Sequence, residues 1–323
     1  MEYSNNHNLG LPIAVVLAAD GYNHNDDVIS VTQLIKPLRE LILTERVRNL
    51  NVPTADPDVI NMYKSRVGTA IHAYAESVWL NEELRNAALV SLGIPKKTIE
   101  KIVVNPEEVK KGQLPVYVEY TGYREILGYE IRGTADVIYF GRLGDYKKTS
   151  PLSYKDQAKN YKYSLQGSIY RWIMQDKIEE DTMSIFEMYE EWTPYKASDP
   201  NYPPAQVVEK VIPLLSLTDT ERYIKNKIKE LNKYFDVPDS EIPECSDEEL
   251  WRRKPVFKYY KNPNSKTRST GNFDTYEEAF ARKEADGHVG IIEEIKSKAV
   301  ACRFCPAFPI CEQAKRLEQT GQL

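Results

Sequence analysis

Apolar and polar positions change their period several times along the chain. An apolar run, "LPIAVVLAA" at 11–19, comes first. It is too short to span a bilayer and reads as a buried strand or chain start. Ser30 can cap a helix through "VTQLIKPLRELILTERV", which Pro37 must kink or restart. Residues 57–91 read as helix, with Val67, Ala70, Ile71, Tyr74 and Val78 at helical spacing. The period then drops to two. "PVYVEYTGY" alternates like a strand, and "YEIRGTADVIYFGRLGDYKKTS" predicts two strands joined at Gly141-Arg142. Helix returns over 155–176, strands over "SIFEMYEEW" and "QVVEKVIPL", and an amphipathic helix over 218–234. From about 240 the elements are short, with a hairpin-like stretch and a helix near 275–286. This order predicts an α/β fold with a mixed central sheet flanked by helices. The expected division is a main domain over 1–239 with a helical N-terminal part, and a small domain over 240–323. The small domain is too poor in apolar residues to hold without a staple.

Composition narrows the function classes. The 323 residues are 41% hydrophobic and 28% charged, enough apolar material for a sizeable core. A net charge of −5 gives no general pull toward nucleic acid, so any such contact needs a local basic patch. Glu2, not a basic cluster, precedes the first apolar run, so no secretory signal is expected, and the location expected is cytoplasmic with no membrane partner. A disulfide framework is then out of place. Of the four cysteines, three lie in "ACRFCPAFPICEQA": Cys302, Cys305 and Cys311. That spacing points to a metal.

Three charged residues sit on the paired strands. Asp145 and Lys147, two apart, project from one face, and Asp136 can converge with Asp145 from the neighbouring strand. Two such carboxylates repel at neutral pH unless a cation lies between them, and Mg²⁺ or Mn²⁺ suits oxygen ligands of this kind. A solvated hairpin with salt bridges is the plain alternative. Upstream, Gly68, His72 and Glu76 share one helix face; downstream, Gln166 and Tyr170 lie one turn apart and can donate to phosphates. Each of these is ordinary when taken singly. "WRRKPVFKYYKNPNSKTR" at 251–268 has seven Lys/Arg and no acid, interleaved with aromatics. Arg252, Arg253, Lys254, Lys258, Tyr259 and Tyr260 are the candidates there for a nucleic-acid strand, or for an ordinary solvated hairpin over the small domain's core.

Taken in order, Gly-x3-His, an isolated Asp, Asp-x-Lys and Gln-x3-Tyr resemble the RecB-like branch of the PD-(D/E)XK nuclease superfamily. The resemblance implies that His72, Asp136 and Asp145 bind the catalytic Mg²⁺ or Mn²⁺. Lys147 then assists the attacking water, and Gln166 and Tyr170 face DNA. Glu119 matches a position that is sometimes acidic in such nucleases. The terminal cysteine run is similar to that of iron–sulphur nucleases of the same branch, including CRISPR-associated spacer-acquisition nucleases and AddB-type subunits. Their first cysteine follows a Ser-x-Ser-like start, whereas "ISVTQLIKPLRELIL" has none. Here "IPECSDEELW" supplies Cys245, an arrangement that resembles phage-encoded RecB-like exonucleases from "SVTQLI" to the end of the chain. This implies a DNA exonuclease of phage recombination, replication or processing, acting in the host cytoplasm beside a phage recombination or replication protein. It also implies a 4Fe–4S cluster on Cys245, Cys302, Cys305 and Cys311, with structural Zn²⁺ as the alternative. A catalytically silent DNA-binding or assembly subunit and a CRISPR-adaptation nuclease are the competing readings.

Overall fold

The structure, a computed structural model, describes residues 3–19, 28–50, 52, 57–252, 254–264 and 267–323. Along the chain come α1 (Leu11–Ala18), β1 (Ile29–Ser30), α2 (Val31–Leu34), α3 (Leu38–Asn49), α4 (Tyr63–Leu80), α5 (Glu82–Ser91) and α6 (Lys96–Ile99). Then follow β2 (Ile102–Val104), β3 (Leu114–Ile126), β4 (Tyr129–Tyr139), β5 (Arg142–Thr149), α7 (Gln157–Ile173), β6 (Thr182–Tyr189), β7 (Val207–Pro213) and α8 (Leu217–Tyr234). Last are β8 (Val256–Tyr260), β9 (Gly271–Phe273), α9 (Tyr276–Ala285), β10 (Ile291–Ile295) and α10 (Glu312–Gln319). The mixed α/β class expected from the sequence is what forms.

Local chemistry sets the element ends. Ser30 and Gln33 make a reciprocal capping box on α2, and Pro37 restarts the chain as the N-cap of α3. Asn81 ends α4 and caps α5 through its side chain, so the stretch read as one helix over 57–91 is broken there. Phe140 and Gly141 take φ of 52° and 84°, the left-handed pair that a two-residue hairpin loop needs between β4 and β5. The apolar run at 11–19 forms helix α1 instead of a strand. Only Leu17 in it is buried, while Leu11, Ile13, Val15 and Val16 are exposed. A run apolar on every side carries no period to tell the two apart.

Two compact units divide the chain: Met1–Ile35 with Ala55–Lys229, and Lys36–Thr54 with Glu230–Leu323. The expected boundary after 239 therefore falls ten residues earlier, and residues 36–54 belong to the second unit. In the first unit the sheet order is β2-β3-β4-β5-β6-β7, with β1 joined in parallel to β4. β5 and β6 are parallel, connected by α7. Ile131, Ala135, Leu143, Met183 and Ile185 pack with Ile169 and Tyr170 of α7 on one face. Full burial of side chains of this size contributes about 1.5–3 kcal/mol each. Val116, Val118 and Val137 form a smaller cluster with Trp79. In the second unit β8 is the middle strand of an antiparallel sheet ordered β10-β8-β9. Its core joins Ile42 and Leu43 of α3 to Ile242, Leu250, Ala314, Leu317, Cys302 and Cys311. Among the described residues, no helix is long and apolar enough to cross a membrane.

Candidate active site and thiol cavity

Asp136 sits where β4 parts from both neighbours. β4 and β5 pair from Tyr139↔Arg142 to Val137↔Gly144, and the next facing positions would be Asp136 and Asp145. There the ladder stops, and the Asp136 side chain takes over: its Oδ2 accepts the Tyr146 N–H at 2.9 Å. On the other side the β3–β4 ladder skips the Glu119/Asp136 position, and Glu119 has φ 48°. Ala135 faces the larger core, Val137 the smaller and Ile138 the larger again, so the alternation of β4 inverts at Asp136. A non-glycine residue at such a φ costs on the order of 1–3 kcal/mol and persists only where its surroundings fix it.

The inversion brings side chains from four elements together. His72 of α4 puts Nδ1 3.4 Å from Asp136 Oδ2 and 3.8 Å from Glu119 Oε1. One ligating atom from each of His72, Glu119 and Asp136 lies within 4.8 Å of the others. Asp145, 3% exposed, has Lys147 Nζ 2.7 Å from Oδ2, but neither of its oxygens accepts a hydrogen bond of good geometry. Lys147 and Lys159 both approach the Tyr163 ring, at 5.7 and 5.6 Å from its centroid. Of the acids expected at the site, Glu119 is thus closer to the centre than its sequence signal indicated. Glu76 is half-buried on α4 and outside the group.

The charges explain one another. Hydrogen bonds to Asp136 and then Glu119 raise His72 to about 10, against opposing burial. Burial raises Asp145, and the Asp136 carboxylate adds to this, with Lys147 opposing. Burial also pushes Asp136 upward, but its hydrogen bonds from His72 and Asp145 outweigh that and hold it below the usual range. The ion-free site therefore retains protons on His72 and Asp145. A divalent cation needs these ligands deprotonated, so binding must release protons. Apparent Mn²⁺ affinity should rise with pH up to about 10, because below that pH the ion must displace the His72 proton. The gain is tenfold per pH unit for each proton displaced. Calorimetry in two buffers of different ionisation enthalpy counts the released protons; identical heats would refute the release.

Gln166 and Tyr170 share a face of α7 as their spacing predicts, but that face is turned to the sheet. Both are buried, and Gln166 Nε2 donates to the Tyr170 hydroxyl at 3.1 Å. The ring lies over Gly133, where a Cβ would come 2.7 Å from Tyr170 Cδ1. The expected contact with DNA thus falls on two side chains that are buried and hydrogen-bonded to each other. The basic stretch behaves similarly. Arg252 donates to Gln322 Oε1 at 2.8 Å and pairs with Asp247 at 3.3 Å. Tyr259 and Tyr260 are buried, and the Tyr259 hydroxyl donates to the Val289 carbonyl. Adjacent strand residues point to opposite faces, so the burial of both tyrosines means that each face of β8 is covered there. Lys254 is exposed and Lys258 half-buried, its backbone opposite Glu293 of β10. Arg253 lies outside the described residues.

All four cysteines line one cavity of about 40 Å³ in the second unit. No three of their sulphurs come within 4.8 Å of one another. Arg39 of α3, 4% exposed, donates Nε to Cys311 Sγ at 3.3 Å and Nη1 to the Ile242 carbonyl at 2.8 Å, and it pairs with Asp239. Burial, with Glu249 nearby, pushes Cys245 up to about 12, and burial pushes Cys305 up to about 11. Sequence spacing gave no hint of Arg39, whose partner is 272 residues away. It also missed Glu187 of β6, fully buried beside Lys147 in register. Glu187 accepts from Lys210 at 2.7 Å and from the Tyr189 hydroxyl, with Lys159 at 3.7 Å. A glutamate inside an apolar strand pattern was the available signal.

No protein-family model matches the chain, and no curated protein does. Among solved structures, that of SSO0001 overlays on 65% of this chain and 78% of its own, with 16% identity and a TM-score of 0.38. So loose an overlay carries no argument about fold or function.

Proposed function

We infer that the first unit is a metal-dependent DNA nuclease, an exonuclease of the RecB-like PD-(D/E)XK type acting on phage DNA in the host cytoplasm. The observation that carries this is the convergence of His72, Glu119, Asp136 and Asp145 beside Lys147 at a deliberate break in the sheet. The residues fit a hard divalent ion: a buried and a half-buried acid share a site, and Asp145 has oxygens without good partners. His72, Asp136 and Asp145 would hold it, with Glu119 as a further oxygen donor. When bound, Mg²⁺ or Mn²⁺ supplies positive charge to offset what builds on the phosphate oxygens. The chain's own part is then positional. Asp145 holds the Lys147 ammonium, which orients the water aimed at phosphorus. The Tyr146 amide fixes the Asp136 carboxylate.

The thiol cavity fits a cluster by its donor set: four cysteines, one buried guanidinium on a sulphur, and thiols that burial keeps protonated until a metal displaces the protons. Four thiolates suit 4Fe–4S and structural Zn²⁺ alike, and the resemblance to iron–sulphur nucleases favours the cluster. Its role is to staple a small unit.

One preparation tests both readings. Protein purified without air is assayed for iron and acid-labile sulphide, then given end-labelled linear DNA with Mn²⁺ or Mg²⁺. Iron and sulphide in equal amounts, and label released from the ends only with the ion, are expected. Bound but uncut DNA of every form would make the chain a silent DNA-binding subunit.

A further inference from the structure

A groove of about 490 Å³ lies on the first unit, away from the acids. Its walls are Arg124 of β3, Trp172 near the end of α7, and the first three turns of α8. Four cations line it, Arg124, Arg222, Lys225 and Lys229, against one carboxylate, Glu221. Three of the cations recur at i, i+3 and i+7 on one stripe of α8. At about 1.5 Å per residue they form a row roughly 10 Å long.

The floor is fixed in place. Trp172 is 2% exposed and donates Nε1 to Glu221 Oε2 at 3.3 Å. The Arg124 guanidinium lies 4.3 Å from the indole centroid and donates to the Trp172 carbonyl. Glu221 is engaged by Trp172 and by Lys225 at 2.5 Å, and Arg222 pairs with Asp219 one turn back at 2.7 Å; both are surface pairs within α8, which a phosphate can compete with. Thr218, in the first turn of α8, closes one end, where the helix dipole is positive.

We propose that this groove is a second contact for the nucleic-acid strand, holding the phosphodiester backbone beyond the catalytic acids; the proposal rests on the nuclease reading. A row of cations along an open groove suits a linear polyanion. The only aromatic is buried beneath Arg124 and offers no face to stack a base, so the contact is with phosphates and indifferent to sequence. Arg124 stands five residues along β3 from Glu119, on the order of 17 Å at about 3.3 Å per residue. A strand whose scissile phosphate is at the acids therefore meets the groove a few nucleotides further on.

The test is the triple variant Arg222→Gln, Lys225→Gln and Lys229→Gln, which keeps good helix formers on α8. Fluorescence anisotropy with a labelled 30-nucleotide single strand in Ca²⁺ reads affinity against salt. The expected result is at least about tenfold weaker binding at low salt. The slope of log affinity on log salt should fall by about 2, since roughly 0.7 is lost per phosphate contact. Unchanged helix content by circular dichroism, and an unchanged cleavage rate at saturating DNA, would complete the support. Wild-type affinity and slope in a variant whose parent cuts DNA would overturn this inference alone. A parent that neither binds nor cuts would overturn the nuclease reading, and the inference with it.

Discussion

Lys147→Ala is expected to bind DNA and ion much as the parent does, yet cut about 10²–10⁴-fold more slowly in single-turnover assays. Lys147 adds no ligating atom to the His72, Glu119 and Asp136 group. Its ammonium is instead held 2.7 Å from Asp145 Oδ2 and beside the Tyr163 ring. Removal thus takes away the group that orients water without dismantling the ion site. Asp136→Asn makes the contrast. The amide oxygen can still accept the Tyr146 N–H, so the β4–β5 junction survives. The negative charge and a ligand are lost, so Mn²⁺ affinity should drop together with cleavage. Parent-like cleavage by Lys147→Ala would sink the assigned mechanism even with the fold intact.

Glu187→Ala carries the largest expected effect on stability. The carboxylate is fully buried and faces Lys210 at 2.7 Å, Lys159 at 3.7 Å and the Tyr189 hydroxyl. Both lysine side chains are largely covered, at 15% and 22% exposure. Deleting the shared carboxylate leaves two cations without their counter-charge. Breaking a buried pair in this way costs about 3–5 kcal/mol, and the partial exposure of the lysines argues for the lower end. For a unit of this size that corresponds to a fall in Tm of roughly 10 °C. Glu187→Gln should fall between, since it keeps an acceptor for Tyr189. A scanning fluorimetry shift within 2 °C or so would mean that water compensates the lysines.

Much of the fold was legible because it is local. Ser30 and Pro37 mark helix starts by their own chemistry, and the period-two strands carry their pattern in a dozen residues. Asp145 and Lys147 follow from strand geometry alone. What escaped the sequence depends on distant partners. Nothing near Glu119 announces φ 48°, which accompanies a break in the ladder to β4 opposite Asp136, a partner distant in sequence. Gln166 and Tyr170 share a helix face as their spacing predicts, but only Gly133 on another strand lets the tyrosine ring settle against the sheet. Tyr259 and Tyr260 carry the composition of a stacking surface, and only the packing on the two faces of β8 buries both.

The discontinuous second unit has a consequence in time. Helix α3 leaves the ribosome long before its partners, from Ile242 to Leu317, are made. Arg39 waits 272 residues for Cys311, some 15–50 s at about 5–20 residues per second. Throughout that interval Ile42 and Leu43, both buried in the finished unit, have nothing to pack against. Synthesis thus passes through a stage in which the strands of the first unit have been made while the apolar stripe of α3 hangs uncovered. That helix is a natural handle for a chaperone, and the thiol cavity cannot close until Cys311 has been made.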